Sequence, residues 1–278
     1  MKESGYEAYL VGGGVRDLLL DKKPKDFDIA TNATPEQIYK IFKNCRLIGR
    51  RFRLAHIYFG REIIEVATFR ASHKITYKDQ TTDEGMLLRD NIYGSIEEDA
   101  LRRDFTVNAL YYNIDDFSIV DYTNGINDLK NGIIRLIGEP EIRYREDPVR
   151  MIRAIRFMAK LGFKLETETE KSIPLLCDLI RMVPPARLFE EVLKLFMTGS
   201  ASRTFEELQS YNLFAQLFPS TNKNLIKNNK KINNSFIWQG LHNTDKRIFE
   251  EKPVTPAFLF AILLWDPVRD NYKELEKK

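Results

Sequence analysis

The residues best equipped for chemistry are Asp26 and Asp28, separated by Phe27 and followed by Ile29. Alternate side chains of a β-strand share a face, so this spacing predicts two carboxylates side by side, about 6–7 Å apart along the strand, with Phe27 and Ile29 turned to the core. Such a pair can hold two divalent ions about 3.5–4 Å apart. Mg²⁺ takes carboxylate and phosphate oxygens together, which suits a nucleotide substrate. The same Asp-x-Asp spacing also describes a solvated edge strand.

Upstream, Leu10-Val11-Gly12-Gly13-Gly14-Val15-Arg16-Asp17 runs from a strand into a helix over Val15–Leu20. Glycines at such a turn let backbone N–H groups approach a phosphate, and Arg16 in the first helical turn can add a charged clamp. The spacing matches neither a dinucleotide fingerprint nor a Walker loop, and a plain tight turn is the competing reading.

The elements that position these residues follow from pattern. Short β-rich runs at Tyr9–Val11, Phe27–Thr31, Ala55–Phe59, Ile63–Phe69, Ile119–Tyr122 and Ile133–Ile137 alternate with helix-like stretches. Thr34-Pro35, followed by Glu36 and Gln37, predicts a helix start. The polar segment Arg70–Arg89 lacks periodicity and predicts a loop. After Pro140, Met151, Ile152, Ile155, Met158 and Ala159 recur at helical spacing, as do Leu188, Val192, Leu193 and Phe196. The reading is an α/β head joined near residue 140 to a helical region.

The glycine turn followed by Asp26-x-Asp28 resembles the nucleotidyltransferases related to DNA polymerase beta, in the class II family shared by tRNA CCA-adding enzymes and bacterial poly(A) polymerases. Glu97-Glu98-Asp99-Ala100-Leu101-Arg102-Arg103-Asp104-Phe105-Thr106-Val107-Asn108 is similar to the family's ribose-binding segment. Glu146-Asp147-Pro148-Val149-Arg150, continuing through Arg153 and Arg156, is similar to its base-reading motif. Leu47-Ile48-Gly49-Arg50-Arg51-Phe52-Arg53-Leu54-Ala55-His56 resembles the poly(A) polymerase branch, because CCA-adding enzymes lack the double Arg-Phe-Arg run.

The resemblance implies an α+β fold: a polymerase-beta-like head over 1–140 with a mixed sheet and flanking helices, a helical neck over 141–200, and the start of an RNA-binding helical body over 201–278. It implies template-independent addition of AMP from ATP to RNA 3′ ends, with CCA addition to tRNA or a non-catalytic RNA-binding remnant as alternatives. Asp26 and Asp28 would bind two Mg²⁺ ions, and Asp104 would be a third essential carboxylate. Glu65 is its rival, because Ile63, Glu65 and Ala67 alternate along a neighbouring strand. Gly13 and Arg16 would contact phosphates, with Arg103 beside the sugar. Arg50, Arg51 and Arg53 would track RNA, line the nucleotide pocket, or stand as surface charge. Asp147 and Arg150, three apart on a helix, share a face. The carboxylate there can accept from an exocyclic amino group while the guanidinium donates to the adjacent ring nitrogen, which admits adenine and cytosine and mismatches guanine and uracil. Arg153 and Arg156 would orient Asp147 or meet phosphate.

Composition narrows the setting. The longest apolar run, Ala257–Trp265, has nine residues, short of the roughly 20 that span a bilayer, and the glycine turn comes too early for a secretory leader. Two cysteines and three histidines give neither a disulfide framework nor a zinc spacing. A reducing cytoplasmic compartment and no membrane partner are expected, with RNA-decay machinery as a protein partner. A net charge of +3 does not by itself establish a nucleic-acid partner.

Overall fold

The computed structural model describes residues 1–49, 53–71, 92–227 and 235–276. Arg50 and Arg51, and residues 72–89 of the expected loop, lie outside them. The chain divides into two units, Met1–Glu146 and Asp147–Lys278.

The first unit is built on seven strands: β1 (Ala8–Val11), β2 (Asp28–Thr31), β3 (Cys45–Ile48), β4 (Leu54–Phe59), β5 (Glu62–Thr68), β6 (Leu110–Tyr112) and β7 (Ile119–Asp121). Their order is β3-β4-β5-β2-β1-β6-β7. Only β2 and β5 run parallel; every other neighbouring pair is antiparallel. The helices are α1 (Gly13–Leu19), α2 (Pro35–Ile41), α3 (Ile96–Arg102), α4 (Gly125–Asn131) and α5 (Pro140–Glu146).

Alternation divides the sheet into two faces. On one, Ile29, Cys45, Leu47, Ala55, Ile57, Ile64 and Val66 pack with Ile38 of α2. On the other, Tyr9, Val11, Phe69 and Tyr111 pack with Ile96 and Ala100 of α3. This second face changes character along its width. It is apolar over β1, β6 and β7, where α3 covers it, and it carries Asp28, Glu65 and His56 over β2, β5 and β4. The α2 start is a capping box: the Thr34 hydroxyl accepts from the Gln37 N–H, and the Gln37 side chain accepts from the Thr34 N–H.

The second unit is helical: α6 (Val149–Leu161), α7 (Thr167–Leu176), α8 (Pro185–Phe196), α9 (Ala201–Ser210), α10 (Leu213–Leu217), α11 (Pro219–Lys227), α12 (Phe236–Phe249) and α13 (Pro256–Leu275). Met151, Ile152 and Ile155 of α6 are fully buried, as their spacing predicts. The molecule is thus α+β. The short α5, which the sequence groups with the neck, lies in the first unit because Arg143 reaches back to it. Its guanidinium donates to the carbonyls of Arg102 (2.6 Å), Arg103 (2.8 Å) and Ile137 (3.1 Å).

Candidate nucleotidyl-transfer site

One row of register partners crosses the sheet and assembles the site. His56 on β4 faces Glu65 on β5, Glu65 faces Asp28 on β2, Asp28 faces Val11 on β1, and Val11 faces Tyr111 on β6. Glu65 and Asp28 come together because β2 and β5 are parallel and in register, a long-range pairing that brings two like charges side by side. Burial pushes the Asp28 carboxyl above its ordinary value, the Glu65 and Asp26 charges add to the rise, and Arg103 opposes it. His56 Nε2 lies 3.2 Å from Glu65 Oε1, at ion-pair distance but off the line of a hydrogen bond.

The structure corrects the expected strand pair. Strand β2 starts at Asp28, so Asp26 and Phe27 precede it. Phe27 is 47% exposed rather than in the core. Asp26 is held close by backbone packing: a Cβ on Gly14 would sit 3.2 Å from the Asp26 carbonyl oxygen, so glycine permits this approach. Gly12, at φ +69°, makes the turn out of β1, and its amide donates to the Leu110 carbonyl at 3.2 Å.

The two arginines flank this turn differently. Arg16 is only 2% exposed. Its Nε and Nη2 donate to Asp17 Oδ1 at 2.8 and 2.6 Å, and its Nη1 donates to Asn108 Oδ1 at 2.6 Å. The expected phosphate clamp is therefore engaged with protein groups and braces the turn that Gly13 begins. Arg103 approaches from the other side, with Nη1 3.3 Å from where a Gly12 Cβ would stand. Its Nη2 and Nε donate to Asp99 Oδ2 at 3.0 and 3.2 Å, and Nε also donates to the Tyr111 hydroxyl at 2.9 Å.

Asp104 is not on a strand of the sheet. It lies between α3 and the short helical turn Thr106–Asn108, where its Oδ1 accepts from the Phe105 N–H at 2.8 Å and the Asn108 amide at 3.4 Å. Arg53, from the arginine-rich run, pairs with Glu36 at 2.7 Å on the surface.

In the second unit, Asp147 precedes α6 instead of sharing a helical face with Arg150. Its carbonyl accepts from the Arg150 N–H at 3.0 Å, and its Oδ1 accepts from the Val149 N–H at 3.3 Å. Its other oxygen accepts from Arg187 of α8 at 2.7 Å. Arg150 is buried, and the half-buried Arg153 and Arg156 both lie over the Phe157 ring, at 5.7 and 4.6 Å.

Sequence reasoning missed Asp99, Tyr111 and Arg187. Asp99 precedes Arg102 by three residues and Arg103 by four, the spacing at which helical side chains meet, so its pairing was readable. The Asp147–Arg187 pair spans 40 residues and leaves no local signal.

The carboxylates suit a cation that arrives with a nucleotide. Among the described residues no three His, Cys, Asp or Glu side chains converge to hold a metal by themselves. Yet the charges of Glu65 and Asp26 both act on Asp28, and Mg²⁺ needs only one or two carboxylates when substrate phosphates supply the rest.

Two family models match parts of the chain. Residues 8–135 match the family described as "Poly A polymerase head domain", and residues 162–225 match "Probable RNA and SrmB- binding site of polymerase A". The chain is 56% identical to poly(A) polymerase I of Salmonella typhimurium over 100% of this chain and 61% of that protein. It is 39% identical to a CCA-adding enzyme of Lactobacillus helveticus over 74% of this chain and 50% of that one. The crystal structure of the Bacillus stearothermophilus CCA-adding enzyme in complex with CTP superposes with a TM-score of 0.66 at 32% identity, covering 88% of this chain and 54% of that one. The chain thus spans about 61% of the length of the poly(A) polymerase it matches.

Proposed function

Because residues 8–135 belong to the poly(A) polymerase head-domain family, we propose that this chain adds AMP from ATP to RNA 3′ ends without a template. The observation that carries the reading is the register setting Asp28 beside Glu65, at the end of β1 where the glycine turn begins. The 56% identity to poly(A) polymerase I favours AMP addition over CCA addition.

Asp26 and Asp28 are the carboxylates that hold Mg²⁺, with Glu65 supported over Asp104 as the third by its register and its charge on Asp28. Two such ions, when bound, supply neutralisation of the triphosphate and activation of the RNA 3′-hydroxyl. The chain's own groups do the positioning. The Gly12–Gly14 turn offers backbone N–H groups to phosphate, Arg16 stiffens that turn from its buried side, and Arg103 lies against it with its positive charge. Asp104 orders the segment carrying Asn108, which in turn holds Arg16.

Base choice belongs to Asp147 and Arg150. The carboxylate accepts from the exocyclic amino group, and the guanidinium donates to the adjacent ring nitrogen, a pattern that guanine and uracil invert. Arg187 holds the carboxylate in place. RNA and RNA-decay proteins are the proposed partners, supported by the match over residues 162–225. No described helix is long and apolar enough to cross a membrane, and the free buried Cys45 and Cys177 suit the proposed cytoplasmic setting.

The test is primer extension on a short unstructured RNA with Mg²⁺ and each nucleoside triphosphate separately. A ladder with ATP alone supports the proposal. Addition of C, C and A to a tRNA lacking its end transfers the chain to the CCA-adding reading, and incorporation of no nucleotide overturns both.

A further inference from the structure

We propose that Asp99 and Tyr111 are positioning residues of the nucleotide site, which fix the Arg103 guanidinium against the glycine turn. The inference rests on the nucleotidyl-transfer reading above and deepens it.

Asp99 is 2% exposed and Tyr111 fully buried, yet both are polar and both converge on one guanidinium. Asp99 Oδ1 takes the Arg102 Nη2 and Nε at 2.7 and 3.1 Å and the Arg70 backbone N–H at 3.1 Å. Its Oδ2 takes Arg103 and the Tyr111 hydroxyl, the latter at 2.7 Å. The hydroxyl thus donates to Asp99 and accepts from Arg103 Nε at 2.9 Å, closing a three-membered network. The Arg103 guanidinium carbon also lies 5.1 Å from the Tyr111 ring centroid, within cation–π range. Its Nε–Nη2 edge is therefore fixed on protein, and Nη1 stands beside Gly12, where it donates to the Asn108 carbonyl at 3.4 Å.

The charges point the same way. Burial opposes ionisation of Asp99, but the Arg103 and Arg102 guanidiniums and the Tyr111 hydroxyl overcome it and hold the carboxyl at about 2. Burial pushes the Tyr111 hydroxyl up, so it stays a donor. Tyr111 and Asp28 both face Val11 in the same cross-strand row, so β1, β2 and β6 set the spacing between cation and carboxylate.

The test is steady-state kinetics and direct ATP binding on Tyr111→Phe, with a double-mutant cycle through Arg103→Ala. Tyr111→Phe removes one oxygen and keeps the buried ring. Loss of its bonds is expected to raise KM for ATP about 3–10-fold with kcat within about twofold, in a variant that still melts cooperatively at a somewhat lower temperature. In the Arg103→Ala background the same substitution is expected to add nothing, since Tyr111 acts through that guanidinium. Asp99→Asn is expected to raise KM further, and Asp99→Glu to recover part of the loss. Unchanged KM in folded Tyr111→Phe and Asp99→Asn, or full additivity with Arg103→Ala, overturns the proposal while leaving a wild-type chain that still incorporates AMP. A wild-type chain that neither binds ATP nor incorporates it overturns the reading on which the proposal rests.

Discussion

Asp28 is ionised at an electrostatic cost to the fold. Its neutral form is favoured by burial first, then by Glu65 and Asp26. A raised folded pKa means that Asp28 favours the fold below its unfolded value and loses that contribution as pH rises through the folded one. Its charge at neutral pH is thus held against the preference of the fold. The acidic limb of kcat/KM is expected to lie above the ordinary carboxylate range, and Glu65→Gln to move that limb to lower pH; a pH–rate series on both proteins checks this. At this scale the sequence was informative where chemistry is local. Asp26, Asp28 and the three glycines stand within 17 residues, and their types state their use. Arg16 and Phe27 read differently in the fold because their surroundings depend on Asn108 and on where β2 starts, and neither is encoded nearby.

Elements explain how these groups are held. The Thr34 capping box was legible because Thr, Pro and Gln occupy fixed positions at a helix start. Thr34→Ala is expected to cost about 1 kcal/mol and to leave AMP incorporation at 25 °C unchanged, since α2 packs on the sheet face opposite Asp28; melting and primer extension on one preparation check both. Strands β3 and β6 were not legible, because Cys45–Ile48 has only four residues and Leu110–Tyr112 only three, too few to establish a period. Asp147 illustrates the reverse error. Its three-residue spacing from Arg150 suggested a shared helical face, but Pro148 follows it, and a residue before proline is disfavoured in the helical region. Its orientation comes instead from Arg187. Arg187→Ala is expected to lower kcat/KM for ATP about tenfold, the effect of leaving a half-buried carboxylate without its charged donor, and to narrow the preference for ATP over GTP. Parallel kinetics with the two nucleotides measure it.

At the scale of the molecule, periodicity changes from mixed to helical near residue 140, and the chain divides between Glu146 and Asp147. The order of the strands was beyond reach, because the β2–β5 pairing joins residues 37 apart in Asp28 and Glu65. That one long-range contact brings Asp28 beside Glu65, and the proposed catalytic centre is thereby built at the expense of stability. The direct measurement is Asp28→Asn beside the wild-type chain, followed by AMP incorporation with Mg²⁺ and by thermal melting without metal or nucleotide. Incorporation is expected to fall at least about 100-fold while the melting temperature rises. A variant that still incorporates AMP near the wild-type rate, or that melts lower, would contradict that expectation.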